Sequence, residues 1–184
     1  MKAYLTISAI LILLTIGCQK EAEVENMTDT SSIILPDQES WNSEIILTSA
    51  GKKIAVVRAG HTSKFNNSKL AKLDEDIIVD FFNAEEKHTS KLTASSGEVN
   101  EKSHDLVAIG NVIVVSDSGA TLYTERLVWK DKTKKIISDV EVKITTEADT
   151  LYGIGFESDA GLNNWIIKNP RGVTDRVRSD DDEI

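Results

Sequence analysis

A short unit of alternating apolar and polar residues recurs along this chain and limits what it can fold into. Three segments align at spacings of 30 and 29 residues: LTASSGEV from Leu92, LYTERLVW from Leu122 and LYGIGFES from Leu151. Each of the first two is followed by an alternating stretch, GNVIVV from Gly110 and SDVEVKI from Ser138. A weaker copy of the whole unit precedes them, with VRAGHTSKF from Val57 leading into DIIVDFF from Asp76. Alternation puts successive side chains on opposite faces of a strand, so each unit predicts two strands and two turns.

The rest of the domain shows the same pattern of short apolar and polar segments. Apolar runs of three to six residues alternate with polar, turn-forming stretches such as NNSK, AEEKHTSK of residues 84–91, SDSG and KDKTKK. Residues 68–80 come closest to a helical period and predict at most a helical turn. Only two prolines are present, so most strands keep their ladder hydrogen bonds. The pattern predicts an all-β protein built from stacked hairpins, an antiparallel β-roll open at both ends.

The N-terminus has the features of an export signal. One lysine is followed by an uncharged run from Ala3 to Gly17 and then by Cys18, the single cysteine. About 20 residues are needed to span a membrane, so this run matches the apolar region of a signal peptide better. The end of the run resembles a bacterial lipobox, although Thr15 stands where the pattern usually has leucine. We expect Cys18 to be lipidated; the alternative is an uncleaved signal anchor with an incidental cysteine.

These features predict four segments. Residues 1–17 form a lipoprotein signal peptide, 18–40 a flexible acidic linker, 41–175 the β-roll domain and 176–184 an acidic disordered tail. The mature protein is then exported and held at a membrane by its lipid.

Composition argues against several function classes. The net charge of −9 disfavours a nucleic-acid partner, since phosphate binding needs a cationic surface. His61, His88 and His104 lie in polar, turn-like stretches without metal-ligand spacing, so we predict no metal site. Residues 49–53, SAGKK, lack the first glycine and the final Ser or Thr of a phosphate-binding loop. We therefore expect no enzyme activity and no cofactor.

The repeat resembles a known family. The Gly-Asn-Val of 110–112, the LYTERLVW strand, the Ser-Asp-Val turn of 138–140 and the closing LYGIGFESD of 151–159 are similar, in order and spacing, to the LptC/LptA/OstA family. The resemblance covers about residues 45–170 and is strongest to LptC, because a membrane anchor is expected. It implies a periplasmic protein that carries lipopolysaccharide, with the inner membrane as the favoured anchor site and the outer membrane left open.

The resemblance also implies a ligand site and partners. Lipid A acyl chains would lie in an apolar groove, which we predict to be lined by inward residues of alternate strands: Val112, Val114, Leu122, Val140, Val142 and Ile144. An inner-membrane Lpt ABC transporter would supply lipopolysaccharide to the first strands, near 45–57, and the last strands, near 165–173, would pass it to an LptA-like β-roll. Two alternatives stay open: a structural envelope lipoprotein whose interior is a solid core, and a hydrolase or sugar-binding domain.

Overall fold

A computed structural model describes residues 34–172 of the chain. This range holds nine strands and no α-helix, so it contains no helix capable of crossing a membrane. The strands are β1 (Gln38–Ser49), β2 (Lys52–Phe65), β3 (Leu70–Phe82), β4 (His88–Asn100), β5 (Leu106–Ser116), β6 (Thr121–Lys130), β7 (Lys135–Thr145), β8 (Thr150–Asp159) and β9 (Trp165–Gly172).

The strands form one antiparallel sheet in which each pairs with its neighbours in chain order. β1 and β9 are the two edges and do not pair with each other, so the sheet stays open. The predicted all-β antiparallel architecture is confirmed, and it is consistent with a β-jelly-roll. Short polar connections such as Asp131–Lys134 join the strands, as the turn-forming stretches predicted.

A bulge near the middle of every second strand explains the repeat. In β3, β5 and β7, two residues oppose a single residue of the next strand: Glu75–Asp76, Gly110–Asn111 and Asp139–Val140. Bulges of this kind bend a strand and increase its local twist. Gly110 has a φ of 78°, a conformation that glycine adopts without strain. One repeat is therefore a bulged strand together with its unbulged neighbour.

The line of bulges divides the sheet into two walls that share one core. The first wall comprises residues 52–58, 77–82, 88–94, 112–116, 121–124 and 141–145; the second comprises 61–65, 70–74, 96–100, 106–109, 126–130 and 135–138, with Phe156–Asp159. Phe81 of the first wall and Trp129 of the second have ring centroids 5.7 Å apart. Because one hydrophobic cluster includes residues of both, the walls face each other across the interior.

Some local predictions were wrong. Residues 70–80 form strand β3 rather than a helical turn, because pairing with β2 and β4 outweighs their weak helical pattern. The polar residues 88–91, predicted as part of a turn, begin β4. β1 starts at Gln38, three residues inside the predicted linker. The signal peptide, Cys18 and the tail 176–184 lie outside the described residues.

Candidate functional site

The centre of the two walls is filled by side chains. Five of the six predicted groove residues lie in the hydrophobic core with at most 1% of their surface exposed: Val112, Val114, Leu122, Val142 and Ile144. β-Branched side chains and leucines from adjacent strands pack directly against one another, as in the cross-strand pair Leu122 and Ile144. None of the five lines either of the two surface clefts of the domain. These five side chains therefore face the filled interior, and their role as the lining of a groove stays a prediction.

Val140 does not join them. It lies in the bulge of β7, where Asp139 and Val140 both oppose the single residue between Ile154 and Phe156. The bulge bends the strand, so Val140 is half-buried and stands apart from the core, whereas Val142 two residues later is enclosed. A simple alternation of inward and outward residues misses this break.

An apolar cleft opens where the turns of the two walls approach each other. We call this cleft of about 510 Å³ the turn slit. Its floor contains Ile54, Phe81 and Trp129, which join the core below. Lys52 and Lys134 lie at its margin on opposite walls. The turn slit thus combines an aromatic and aliphatic floor with two lysines at its margin, of which Lys134 is ion-paired with Asp131.

The turn between β8 and β9, residues 160–164, forms one side of this slit and contacts the opposite wall. Ser90 Oγ donates a hydrogen bond to the carbonyl oxygen of Ala160, and Ser116 Oγ donates one to that of Gly161, both at 2.5 Å. Leu162 is buried with the core. Two hydroxyl groups and one leucine therefore hold this turn against the first wall.

A second cleft, of about 650 Å³, lies beside the β1 edge, and we call it the β1 cleft. Its apolar lining comes from strand β1 and from the second wall: Ile45, Leu47, Ala71 and Val99. Charged residues surround it, including Glu39, Glu44 and the ion pair of Lys64 with Glu101 at 2.7 Å. The interior is thus open at the first edge of the sheet and filled at its middle.

Titratable groups lie mainly outside the interior. Hydrogen bonds from Arg58 to Asp80 and Glu44 raise the pKa of Arg58 above its ordinary value. A hydrogen bond from Lys135 lowers the pKa of Glu157. No group of three potential metal ligands occurs within residues 34–172.

The three histidines lie beside carboxylates. His88 lies between Asp117 at 2.9 Å and Asp80 at 3.3 Å, and His61 lies 3.3 Å from Glu39. His61 and His88 belong to strands β2 and β4 rather than to turns as predicted, and His104 lies in the β4–β5 turn. Each faces carboxylates of neighbouring strands or turns, an arrangement that links strands together.

Sequence comparison identifies the family. A model of the LptC-related lipopolysaccharide-assembly family matches residues 5–169, nearly the whole chain. The chain belongs to the LptC family. No curated protein matches the sequence significantly. LptC proteins serve in lipopolysaccharide transport in the periplasm as part of a transport bridge, and the family is not one of known enzymes. The predicted resemblance is confirmed.

Sequence reasoning missed both clefts of this LptC-family protein. It identified Leu127–Trp129 and Ile77–Phe82 as strands but did not bring Phe81 and Trp129 together. The one available signal was that these two large aromatics occupy inward positions close to turns. Where a turn of one wall meets a turn of the other depends on the bend and twist of the whole sheet, and sequence periodicity does not specify that geometry.

Proposed function

We propose that this protein is a membrane-tethered periplasmic carrier that shelters lipid A acyl chains between its two walls. It receives lipopolysaccharide from the inner-membrane Lpt ABC transporter and passes it to an LptA-like β-roll. Lipidated Cys18 attaches the protein to a membrane, with the inner membrane favoured. The acidic linker lets the domain extend away from that membrane. The protein acts without catalysis or a cofactor.

The observation that supports this proposal best is the interior itself. Two walls face each other over a continuous apolar core, and that core reaches the surface in the β1 cleft and the turn slit. Burial of apolar surface stabilises a bound chain by about 25 cal/mol per Å². When the walls separate, Val112, Val114, Leu122, Val142 and Ile144 become the lining of the groove. Val140 is left out of this lining.

The two sheet edges support the proposed partners. An edge strand has unpaired backbone groups and can pair with a strand of another protein. We assign β1 to the transporter and β9 to the next β-roll. Trp41 on β1 and Ile166 on β9 are both about two-thirds exposed, at 64%. A photoreactive amino acid at Trp41 should capture a transporter subunit, and one at Ile166 the next β-roll; capture of the same partner from both positions would refute this assignment.

A structural lipoprotein with a solid core is the second candidate, and the filled centre favours it. The two candidates differ in what they retain during purification. The full chain, extracted from membranes with a mild detergent, should carry lipopolysaccharide detectable by mass spectrometry if the carrier proposal is right. Ordinary phospholipid alone, at the level found on a Cys18-anchored protein of unrelated fold, would favour the structural candidate.

A further inference from the structure

We propose that the turn slit is the entrance for an acyl chain of an anionic glycolipid, and that the β8–β9 turn is its gate. This inference rests on the proposed carrier function and specifies where the chain enters and which residues control it. In the conformation described here, the gate is closed.

The slit has the volume of a pocket for a small ligand. Pockets for small ligands typically have volumes of about 300–1,000 Å³, and the turn slit, at about 510 Å³, lies in the lower half of that range. Phe81 and Trp129 close its floor, and the residues beneath are fully enclosed. The slit can therefore receive part of one hydrocarbon chain as it stands. Deeper insertion requires the walls to part, and the β8–β9 turn is the segment that joins them at the slit.

Side-chain contacts hold the β8–β9 turn to the first wall. The turn is internally rigid, because Asp159 accepts hydrogen bonds from the backbone N–H groups of Asn163 and Asn164, both at 3.1 Å. Its attachment to the first wall uses the hydroxyls of Ser90 and Ser116 and the side chain of Leu162. A backbone ladder would be far harder to separate than two side-chain hydrogen bonds. The turn can thus move as a unit while β8 and β9 stay paired.

A buried hydroxyl lies beneath the turn. Ser158 is 1% exposed, and its Oγ has no hydrogen-bond partner within the part of the chain that the structure describes. It is paired across the sheet with Ile136 and Trp165, at the base of the turn. A buried polar group without a partner is unfavourable and calls for an explanation. When the turn opens, Ser158, Ser90 and Ser116 together offer hydroxyls to the ester, amide and hydroxyl groups near the sugar end of an acyl chain.

The margin of the slit carries cationic charge. Lys52 and Lys134 lie on opposite sides of the slit, and Lys134 is ion-paired with Asp131. Lys52 Nζ donates to the carbonyl oxygen of Ala84 at 2.7 Å and makes no ion pair within residues 34–172. Its charge is therefore available to a phosphate while the acyl chain occupies the floor. These features together fit an amphipathic ligand with a phosphorylated sugar and hydrocarbon tails.

A disulfide across the gate tests the proposal. A Cβ atom built at Gly161 lies 3.5 Å from Thr89 Cβ, within the range of about 3.5–4.5 Å found in disulfides. It also lies 2.5 Å from Asn163 Nδ2 and 3.3 Å from Asp159 Oδ1, the ends of two side chains that must shift for a cysteine to fit. The double variant Thr89→Cys/Gly161→Cys, made in the full chain and verified by mass spectrometry, fixes the turn to the first wall when oxidised.

Binding of purified fluorescent lipopolysaccharide is then measured before and after reduction. We expect the oxidised variant to bind about tenfold more weakly than the reduced one, which should match the parent chain. The single variants Thr89→Cys and Gly161→Cys control for the substitutions and should not respond to reductant. Equal binding by oxidised and reduced double variant would overturn the gate and leave the carrier function intact. Absence of binding by the parent chain would overturn both.

A variant that weakens the latch gives the opposite effect. Ser90→Ala/Ser116→Ala removes both hydrogen bonds to the turn, and association with lipopolysaccharide should become about tenfold faster. Melting curves establish that the variant is folded. A folded variant whose association rate is unchanged would show that these hydroxyls do not restrain the gate.

Discussion

The middle of the walls and the turn slit are built from the same repeat, yet they differ in how completely side chains fill them. At the middle, Val114, Leu122 and Val142 are enclosed on every side. At the slit, Ile54, Phe81 and Trp129 form a floor beneath an open volume of about 510 Å³. At the middle, small β-branched side chains on adjacent strands pack closely. At the slit, turns of different length leave space where they approach each other.

This difference indicates where a carrier of this kind can accept a ligand first. Filled regions contribute stability through close packing. Regions near the turns contribute less stability and open more easily, because fewer buried contacts restrain them. A lipid would enter at the slit and reach the centre only as the walls separate. The predictions below test this contrast in order of decreasing expected effect.

The largest effect is expected from charge at the filled centre. Val142→Asp places a carboxylate at a site with 1% exposure and should destabilise the domain by at least about 3 kcal/mol, because an unpaired buried charge is strongly unfavourable. Val140→Asp is the matched control: it lies two residues away at the half-buried bulge and should cost less than about 1 kcal/mol. Urea unfolding measures both. Equal stability of the two variants would show that the centre is not filled.

The next effect concerns the strand that carries the gate turn. A Cβ at Gly153 would lie 2.2 Å from Ile167 Cγ2 and 2.7 Å from the Asn169 carbonyl oxygen, so Gly153→Ala must displace β9. Gly172→Ala is the control, because nothing lies within 4 Å of its Cβ position. Amide hydrogen exchange should accelerate at least about tenfold in β9 and the gate turn of Gly153→Ala. Similar acceleration at Val114 and Leu122 would mean that the slit and the centre open as one unit.

A smaller effect is expected from charge at the slit margin. Lys52→Glu should weaken lipopolysaccharide binding about fivefold, since a cationic group beside anionic lipid contributes about 1 kcal/mol. Lys143→Glu is the control: Lys143 lies on the outer surface, with its Nζ 5.3 Å from the ring centroid of Tyr123. The two variants are compared by fluorescence titration at two salt concentrations. Equal weakening by both would point to general electrostatic attraction rather than to a site.

The smallest effect is expected on the outer face. The Lys135 hydrogen bond lowers the folded-state pKa of Glu157 below 4.5, so its contribution to stability is present at neutral pH and is lost as the pH falls through that lowered pKa. Glu157→Gln should be slightly less stable than the parent chain at pH 7, and the difference should shrink as the pH is lowered from 7 to 3. Urea midpoints at the two pH values measure this, and a larger difference at pH 3 would contradict the assignment.

Sequence periodicity predicted much of the fold because it depends on local chemistry. Alternating Val140–Ile144 and Gly110–Val115 specify strands with one buried face, and the repeat specifies that such strands follow one another. The repeated hairpin unit predicted the roll, and the family resemblance supplied the role. Bulges limited the residue-level prediction: Val140 continues the alternation in sequence but leaves the core in space. The turn slit could not be predicted from the sequence, because Phe81 and Trp129 approach each other only through the bend of the whole sheet.

Site-specific photocrosslinking tests the central claim, that acyl chains occupy the space between the walls, most directly. A photoreactive amino acid is placed at Ile54 on the slit floor or at Tyr123, which is 40% exposed on the outer surface of the first wall. Cells or proteoliposomes that transport lipopolysaccharide should yield a crosslinked adduct from Ile54 and none from Tyr123. Crosslinking from Tyr123 with none from Ile54, in variants that remain folded, would place the lipid outside the walls and contradict the account.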